Sequence, residues 1–152
     1  MGYIKQVIVC RRDLSMPTGK FGAMVAHAGR SFLINRLHKN GYTSVLCDDG
    51  SASGWCHFEF MVSPIEEQWL SELDPGLEEQ KQVSMATIVL AVNSEEELLE
   101  VEKNAREAKL EVHRVIDSGF SHNKPGTFVC IGIGPDKPER IDPVTGKLKV
   151  YR

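Results

Sequence analysis

At 152 residues, 41% hydrophobic and 26% charged, the chain has the size and composition of one ordinary domain that buries its own core, which excludes disordered and collagenous classes. No apolar run approaches the ~20 residues of a membrane span, and Met1-Gly2-Tyr3-Ile4-Lys5 lacks the layout of a secretion signal, so a cytoplasmic protein with no membrane partner is expected. The net charge of -3 hides an uneven distribution: residues 1–40 carry seven Lys/Arg and one Asp, 41–107 three and fifteen acids, 108–152 eight and five, so a fold that joins the two ends would gain a basic side suited to a polyanion.

Tyr3 to Cys10 is short, β-branched and followed by Arg11-Arg12-Asp13, as expected of a buried central strand. A turn at Ser15-Met16-Pro17-Thr18-Gly19 leads into a predicted helix over Thr18 to His38. Its apolar stripe Phe21, Val25, Ala28, Phe32 should pack on the sheet, and a second row, Lys20, Met24, His27, Ser31, displaced by ~100°, can line a cleft. From Tyr42 to Val62 the pattern alternates around Asp48-Asp49-Gly50 and Gly54, which suggests a β-hairpin. Ser63-Pro64-Ile65-Glu66 is a capping box with proline in the first helical position, opening a short helix that Asp74-Pro75-Gly76 stops.

Met85 to Val92 reads as another buried strand, and Ser94 with Glu97 as a second capping box before a helix carrying Leu98, Val101, Ala105 and Ala108. Val112 to Asp117 and Thr127 to Gly134 complete the sheet around a polar loop, Ser118 to Gly126. Strands alternating with helices imply an α/β fold with some parallel pairing. The four cysteines have no CxxC spacing; Cys10 and Cys130, inside strand-like runs, read as reduced core thiols, and Cys47 with Cys56-His57 is a weak metal signal, so no metal is expected.

Two stretches resemble the type 2 peptidyl-tRNA hydrolase family. The first runs from Lys5 through Arg11, Asp13-Leu14, Met16 and Gly19-Lys20 to Ala23 and Ala26-His27-Ala28, similar to the family's strand, R-x-D-L-x-M-x-x-G-K turn and A-A-Q-x-x-H-A helix. The second runs from Ile116-Asp117 through Pro125-Gly126-Thr127 and Ile133-Gly134-Pro135 to Ile141-Asp142-Pro143-Val144-Thr145-Gly146-Lys147-Leu148-Lys149, similar to its D-x-G-x-T loop, I-G-P strand end and I-D-x-V-T-G-x-L-K tail.

The resemblance covers most of the chain. It implies one domain over 1–152, a three-layer fold with a mixed four-stranded sheet and helices on both faces, and an insertion at about 42–79. It also implies hydrolysis of the ester joining a peptide to tRNA, with tRNA as partner and no organic cofactor. Relatives often self-associate, so a homodimer is an expectation for which the sequence fixes no interface. The chain departs from the family at Met24 (glutamine there), Ser121 (usually threonine) and Val129 (commonly threonine).

Ester hydrolysis needs a positioned water, a group to take its proton, and donors to the developing oxyanion. Lys20, His27 and Asp117 supply those types, with Ser121 and Thr127 as nearby hydroxyls. Asp117 is expected to orient or deprotonate water, and Lys20 to stabilise the anion. Taken apart from the resemblance, Lys20 is an ordinary solvated lysine and His27 a structural histidine. For substrate binding, Arg11, Arg12, Gly19, Met24, Lys124 and Lys147 are the candidates, with Arg30, Arg36, Lys39, Lys149 and Arg152 as further cations for phosphates. Two rival readings stand: a catalytically weakened relative acting as an RNA- or protein-binding module, which Met24 and Val129 would suit, and an enzyme for another nucleotide-bearing ester or amide.

Overall fold

The structure, a computed structural model, describes residues 3–40, 45–46, 56–57 and 61–152. Strand β1 (Lys5–Arg11) is central because its β-branched residues are buried on both faces. Helix α1 (Thr18–Asn40) follows directly, and the short strands β2 (Val45–Leu46) and β3 (Cys56–His57) pair antiparallel. The rest of the hairpin expected over Tyr42 to Val62 lies outside the described residues. Next come α2 (Pro64–Ser71), β4 (Thr87–Val92), α3 (Glu95–Glu107), β5 (Val112–Asp117), β6 (Thr127–Asp136), α4 (Pro138–Thr145) and β7 (Lys149–Val150). The main sheet has the order β5-β6-β1-β4-β7, with β1 parallel to β4 and the other pairs antiparallel.

The four-stranded sheet of the resemblance is therefore corrected to five strands. The fifth, β7, escapes pattern reading because two exposed residues carry no alternation. Helix α4 was not expected either: it is only eight residues long and Pro143 removes one of its backbone donors.

Alternate residues of β1 belong to two separate cores. Val7 and Val9 pack with Leu98, Val101 and Ala105 of α3 and Ile141 of α4. Ile8 and Cys10 pack with Met24 and Ala28 of α1, together with Val115, Val129 and Cys130. Helix α1 lies close over the sheet at Gly132, where a Cβ would stand 2.6 Å from the Ala28 carbonyl oxygen. Glycine at this strand position is what the close approach requires.

Both helix-start motifs form, in different ways. At α2 the box closes: Glu66 N donates to Ser63 Oγ (3.3 Å) and Ser63 N to Glu66 Oε2 (2.6 Å). At α3 the Ser94 hydroxyl accepts from Glu97 N, but the Glu97 carboxylate reaches back to Asn93 N instead of Ser94 N. The chain's end returns to its beginning, since Tyr151 stacks on Phe21 with ring centroids 4.2 Å apart.

Candidate active site

The end of β5 and the first turn of α1 meet at the same end of the sheet. Asp117 is the last residue of β5 and Lys20 the third of α1, and Lys20 Nζ donates to Asp117 Oδ1 at 2.8 Å. The geometry follows from helical spacing. Lys20 lies one turn before Met24 and two before Ala28, both buried against the sheet, so its side chain extends along the inward face past the sheet's edge.

Asp117 is almost wholly buried, with a side chain 1% exposed, while Lys20 retains 15%. The loop after β5 completes the carboxylate's shell: Gly119 N donates to Oδ1 (3.0 Å) and Asn123 Nδ2 to Oδ2 (3.0 Å). Hydrogen bonding from Lys20 first, then from the Gly119 amide, holds the Asp117 carboxyl below the usual carboxylate range; burial opposes this and Asn123 adds to it. Gly119 is required by the loop's shape, with φ +82° and a would-be Cβ 2.4 Å from Pro125 N. Two further bonds fix the loop: Gly126 N to the Asp117 carbonyl (2.8 Å), and His122 Nε2 to the Leu14 carbonyl (2.9 Å), which ties it to the turn after β1.

The other expected residues distribute unevenly. His27 is exposed on α1; of the two partners a functional His27 could take, Asp117 or the tRNA 3′ end, the bond to the first is not made, because the carboxylate's partners are Lys20, Gly119 and Asn123. His27 instead lines a hollow with Arg30, Ser31, Ile34 and Asn35. Thr127 is paired with Asp117 in the β5–β6 ladder, but its hydroxyl donates to the Lys124 carbonyl (2.7 Å). Ser121 is exposed in the loop.

Among the binding candidates, Arg11 is held by Asp13, by Glu95 (2.5 Å) and by the Phe128 carbonyl (3.0 Å), so it braces the fold. Hydrogen bonding to Asp13 leads the causes that raise its pKa. Gly19, Arg12, Lys124 and Lys147 are exposed. Met24 is 5% exposed and belongs to the apolar cluster that also holds Val129, so it is core and not cleft lining. Its carbonyl lies 3.6 Å from the Cys130 thiol.

Asn123 and the Gly119 amide were missed by sequence reading. The available signal was an asparagine inside a polar loop six residues after the aspartate, too common a pattern to single out. Cys10 and Cys130 are buried free thiols opposite each other in the β1–β6 register, and their mutual hydrogen bond, then burial, pushes the Cys130 thiol up. Among the described residues no group of three His, Cys, Asp or Glu could hold a metal ion, and no helix is long and apolar enough to cross a membrane.

An ammonium and a carboxylate held together at one end of a mixed sheet define the class: a small α/β protein with a largely buried ion pair where the first helix meets the end of β5. The sequence model of the family described as Peptidyl-tRNA hydrolase PTH2 matches residues 4–151, and the chain belongs to this family. It is 36% identical over 148 residues to a peptidyl-tRNA hydrolase of Methanopyrus kandleri, covering 97% of this chain and 98% of that protein. It is 33% identical to one of Nanoarchaeum equitans (97% and 99% covered) and 32% identical to one of Saccharolobus islandicus (97% and 98%). A solved structure of a protein of unknown function from Agrobacterium tumefaciens strain C58 shares the fold, with TM-score 0.50, 15% identity and both chains covered in full.

Proposed function

We propose that this chain hydrolyses the ester linking a peptide to the 3′ end of tRNA, with Lys20 and Asp117 at the reaction centre. The single observation that carries this assignment is the Lys20–Asp117 pair itself: a buried carboxylate holding an ammonium that still reaches solvent. A lysine ammonium has three donors, and one direction is taken by Asp117, so the remaining N–H groups are free to meet an oxyanion.

Asp117 stays ionised throughout the neutral range because its carboxyl is held below the ordinary value. A buried carboxylate that already accepts three hydrogen bonds is a weakened base, so its better role is to fix Lys20 beside the ester carbonyl. The water oxygen adds to the ester carbonyl, the negative charge develops beside Lys20, and the bond to the ribose oxygen breaks. The proton lost by the water ends on that ribose oxygen, giving a free peptide acid and uncharged tRNA. His27, exposed about two turns along α1, is assigned to substrate contact. Thr127 holds the loop through the Lys124 carbonyl, Ser121 is exposed in the same loop, and Gly19, Arg12, Lys124 and Lys147 are the exposed candidates for tRNA.

Two placements complete the reading. The partition of β1 between two cores supports a three-layer arrangement in a single domain, with residues 42–79 inserted. The protein is assigned to the cytoplasm, where peptidyl-tRNA arises in translation, and to ribosome rescue; association as a homodimer is an expectation to be checked by sedimentation.

The weakened-relative reading is not favoured. Met24 and Val129 lie in one apolar cluster, so two departures from the family's polar residues occur together and pack against each other's surroundings. Replacing both members of a polar pair by apolar groups can be nearly neutral. Purified peptidyl-tRNA is the direct test: the protein should release peptide, with uncharged tRNA acting as a competitor. Release that ignores uncharged tRNA would favour an enzyme for a small nucleotide-bearing substrate, and no release would reject hydrolysis.

A further inference from the structure

We propose that Arg12, Lys149 and Arg152 form a second, phosphate-binding subsite that grips the tRNA backbone several nucleotides back from the ester. The inference rests on the hydrolase reading above and deepens it by saying which of the many cations face the RNA. These three residues, with Val150, line a single cavity of about 310 Å³. Arg12, Lys149 and Arg152 are all exposed, and among the described residues none of them has a salt-bridge partner. That sets them apart from most of the guanidinium groups of the fold. Arg11 is held by Asp13 and Glu95, Arg36 by Glu66, Arg114 by Glu102, and Arg140 by Asp136. The carboxylate nearest in sequence, Asp13, is itself engaged by Arg11 through two hydrogen bonds.

The subsite stands at the same end of the sheet as the reaction centre. Arg12 N donates to the carbonyl of Val92, the last residue of β4, and Lys149 pairs with Ala91. At the other edge, Asp117 ends β5 beside Thr127, and β1 between them ends at Arg11. The Phe21–Tyr151 stack binds the tail that carries Lys149 and Arg152 to the turn of α1 that carries Lys20. Four strand spacings separate β5 from β7, which at ~4.8 Å each is about 19 Å. A stacked nucleic-acid strand advances ~3.4 Å per nucleotide, so a strand whose terminal ester sits at Lys20 would bring phosphates about five to six nucleotides back onto the groove. Three unneutralised cations around a concave, solvent-open site match a phosphodiester backbone, whose contacts fix position without reading the base. The subsite therefore recognises any tRNA, as an enzyme for peptides on all tRNAs requires.

The test is the salt dependence of uncharged tRNA binding, measured for the unaltered protein, for the double variant Lys149→Gln/Arg152→Gln, for Arg12→Gln, and for Lys103→Gln, which removes an equally exposed cation from α3. Removing one cation from a phosphate lowers the slope of log K against log salt by about 0.7 to 0.9, so the double variant should lose about 1.4 to 1.8 and Arg12→Gln about half as much. Lys103→Gln should keep the full slope. Peptidyl-tRNA turnover should show the loss in KM, and a peptidyl ester of a single nucleotide should bind the unaltered protein without the steep salt response. A double variant with the slope of Lys103→Gln would overturn the subsite. Failure of the hydrolase reading looks different: the unaltered protein would release no peptide from either substrate.

Discussion

Two cations of α1, Arg36 and Lys20, tie the helix to the rest of the molecule through ion pairs built to opposite rules. Near the end of α1, Arg36 meets Glu66 through two hydrogen bonds of 2.6 Å each, approaches Glu111 at 3.6 Å and donates to the Met61 carbonyl at 3.3 Å. Both partners are saturated, and burial, which would raise the Glu66 pKa, is outweighed by the bonds from Arg36 and Ser63. At the start of the same helix, Lys20 meets Asp117 through one bond, while the carboxylate's other partners come from its own loop. The carboxylate is satisfied and the cation is not. A saturated pair fixes structure; on the proposed reading, the under-committed cation, 15% exposed, is left to serve an anion that arrives from outside.

Breaking each feature in turn should separate these rules. The largest effect on stability is expected from Arg36→Ala, which leaves Glu66 buried without its cation and should cost about 3 kcal/mol or more in denaturant unfolding. The contribution of Glu66 also has a pH signature. Its folded pKa lies below the unfolded value of ~4.3, so the stability it supplies is complete above that value and is lost as pH falls through the folded one. The cost of Arg36→Ala should therefore shrink as pH falls through that range, because Glu66 takes up its proton there in the unaltered protein as well.

Gly132→Ala comes next. A methyl group aimed at the Ala28 carbonyl must push α1 off the sheet, for an expected loss of about 1 to 3 kcal/mol in thermal unfolding. Because Lys20 is on α1 and Asp117 on β5, the strand paired with β6 at Gly132, turnover should fall as well.

The smallest expected effect sharpens the comparison most finely. Asn123→Ala removes one donor from Asp117 while leaving Lys20 and the Gly119 amide in place. The Asp117 carboxyl should then titrate closer to its ordinary value, and the acid limb of the pH–rate profile should shift upward without loss of the fold. An unshifted limb would show that the Asp117 carboxylate does not govern it.

Most of the fold was legible because the signals were local. Val112 to Asp117 is a strand with the bounds its pattern implies, and the Ser63 box opens α2 at Pro64. The tail was not: β7 exists only because β4 offers an edge to pair with, and α4 tolerates Pro143 because Ile141 and Thr145 are buried around it. At the site, the motif resemblance singled out Lys20 and Asp117, and their contact is made. His27 was grouped with Lys20 and Asp117 on residue type and motif, which do not reveal that loop residues 119 and 123 already bond the carboxylate. The row through Lys20, Met24 and His27 splits in space because the sheet covers a narrower arc of α1 than the two rows together. Met24 faces inward, and His27 faces out.

The measurement closest to the centre of this account is the single-turnover rate of peptide release from peptidyl-tRNA by Lys20→Ala, at saturating protein and with the fold checked by thermal unfolding. Loss of a preorganised donor to the oxyanion should slow release about 10² to 10³-fold while the unfolding midpoint barely moves. A rate equal to that of the unaltered protein would mean that the ammonium serves Asp117 and the fold alone, and that the chemistry lies elsewhere.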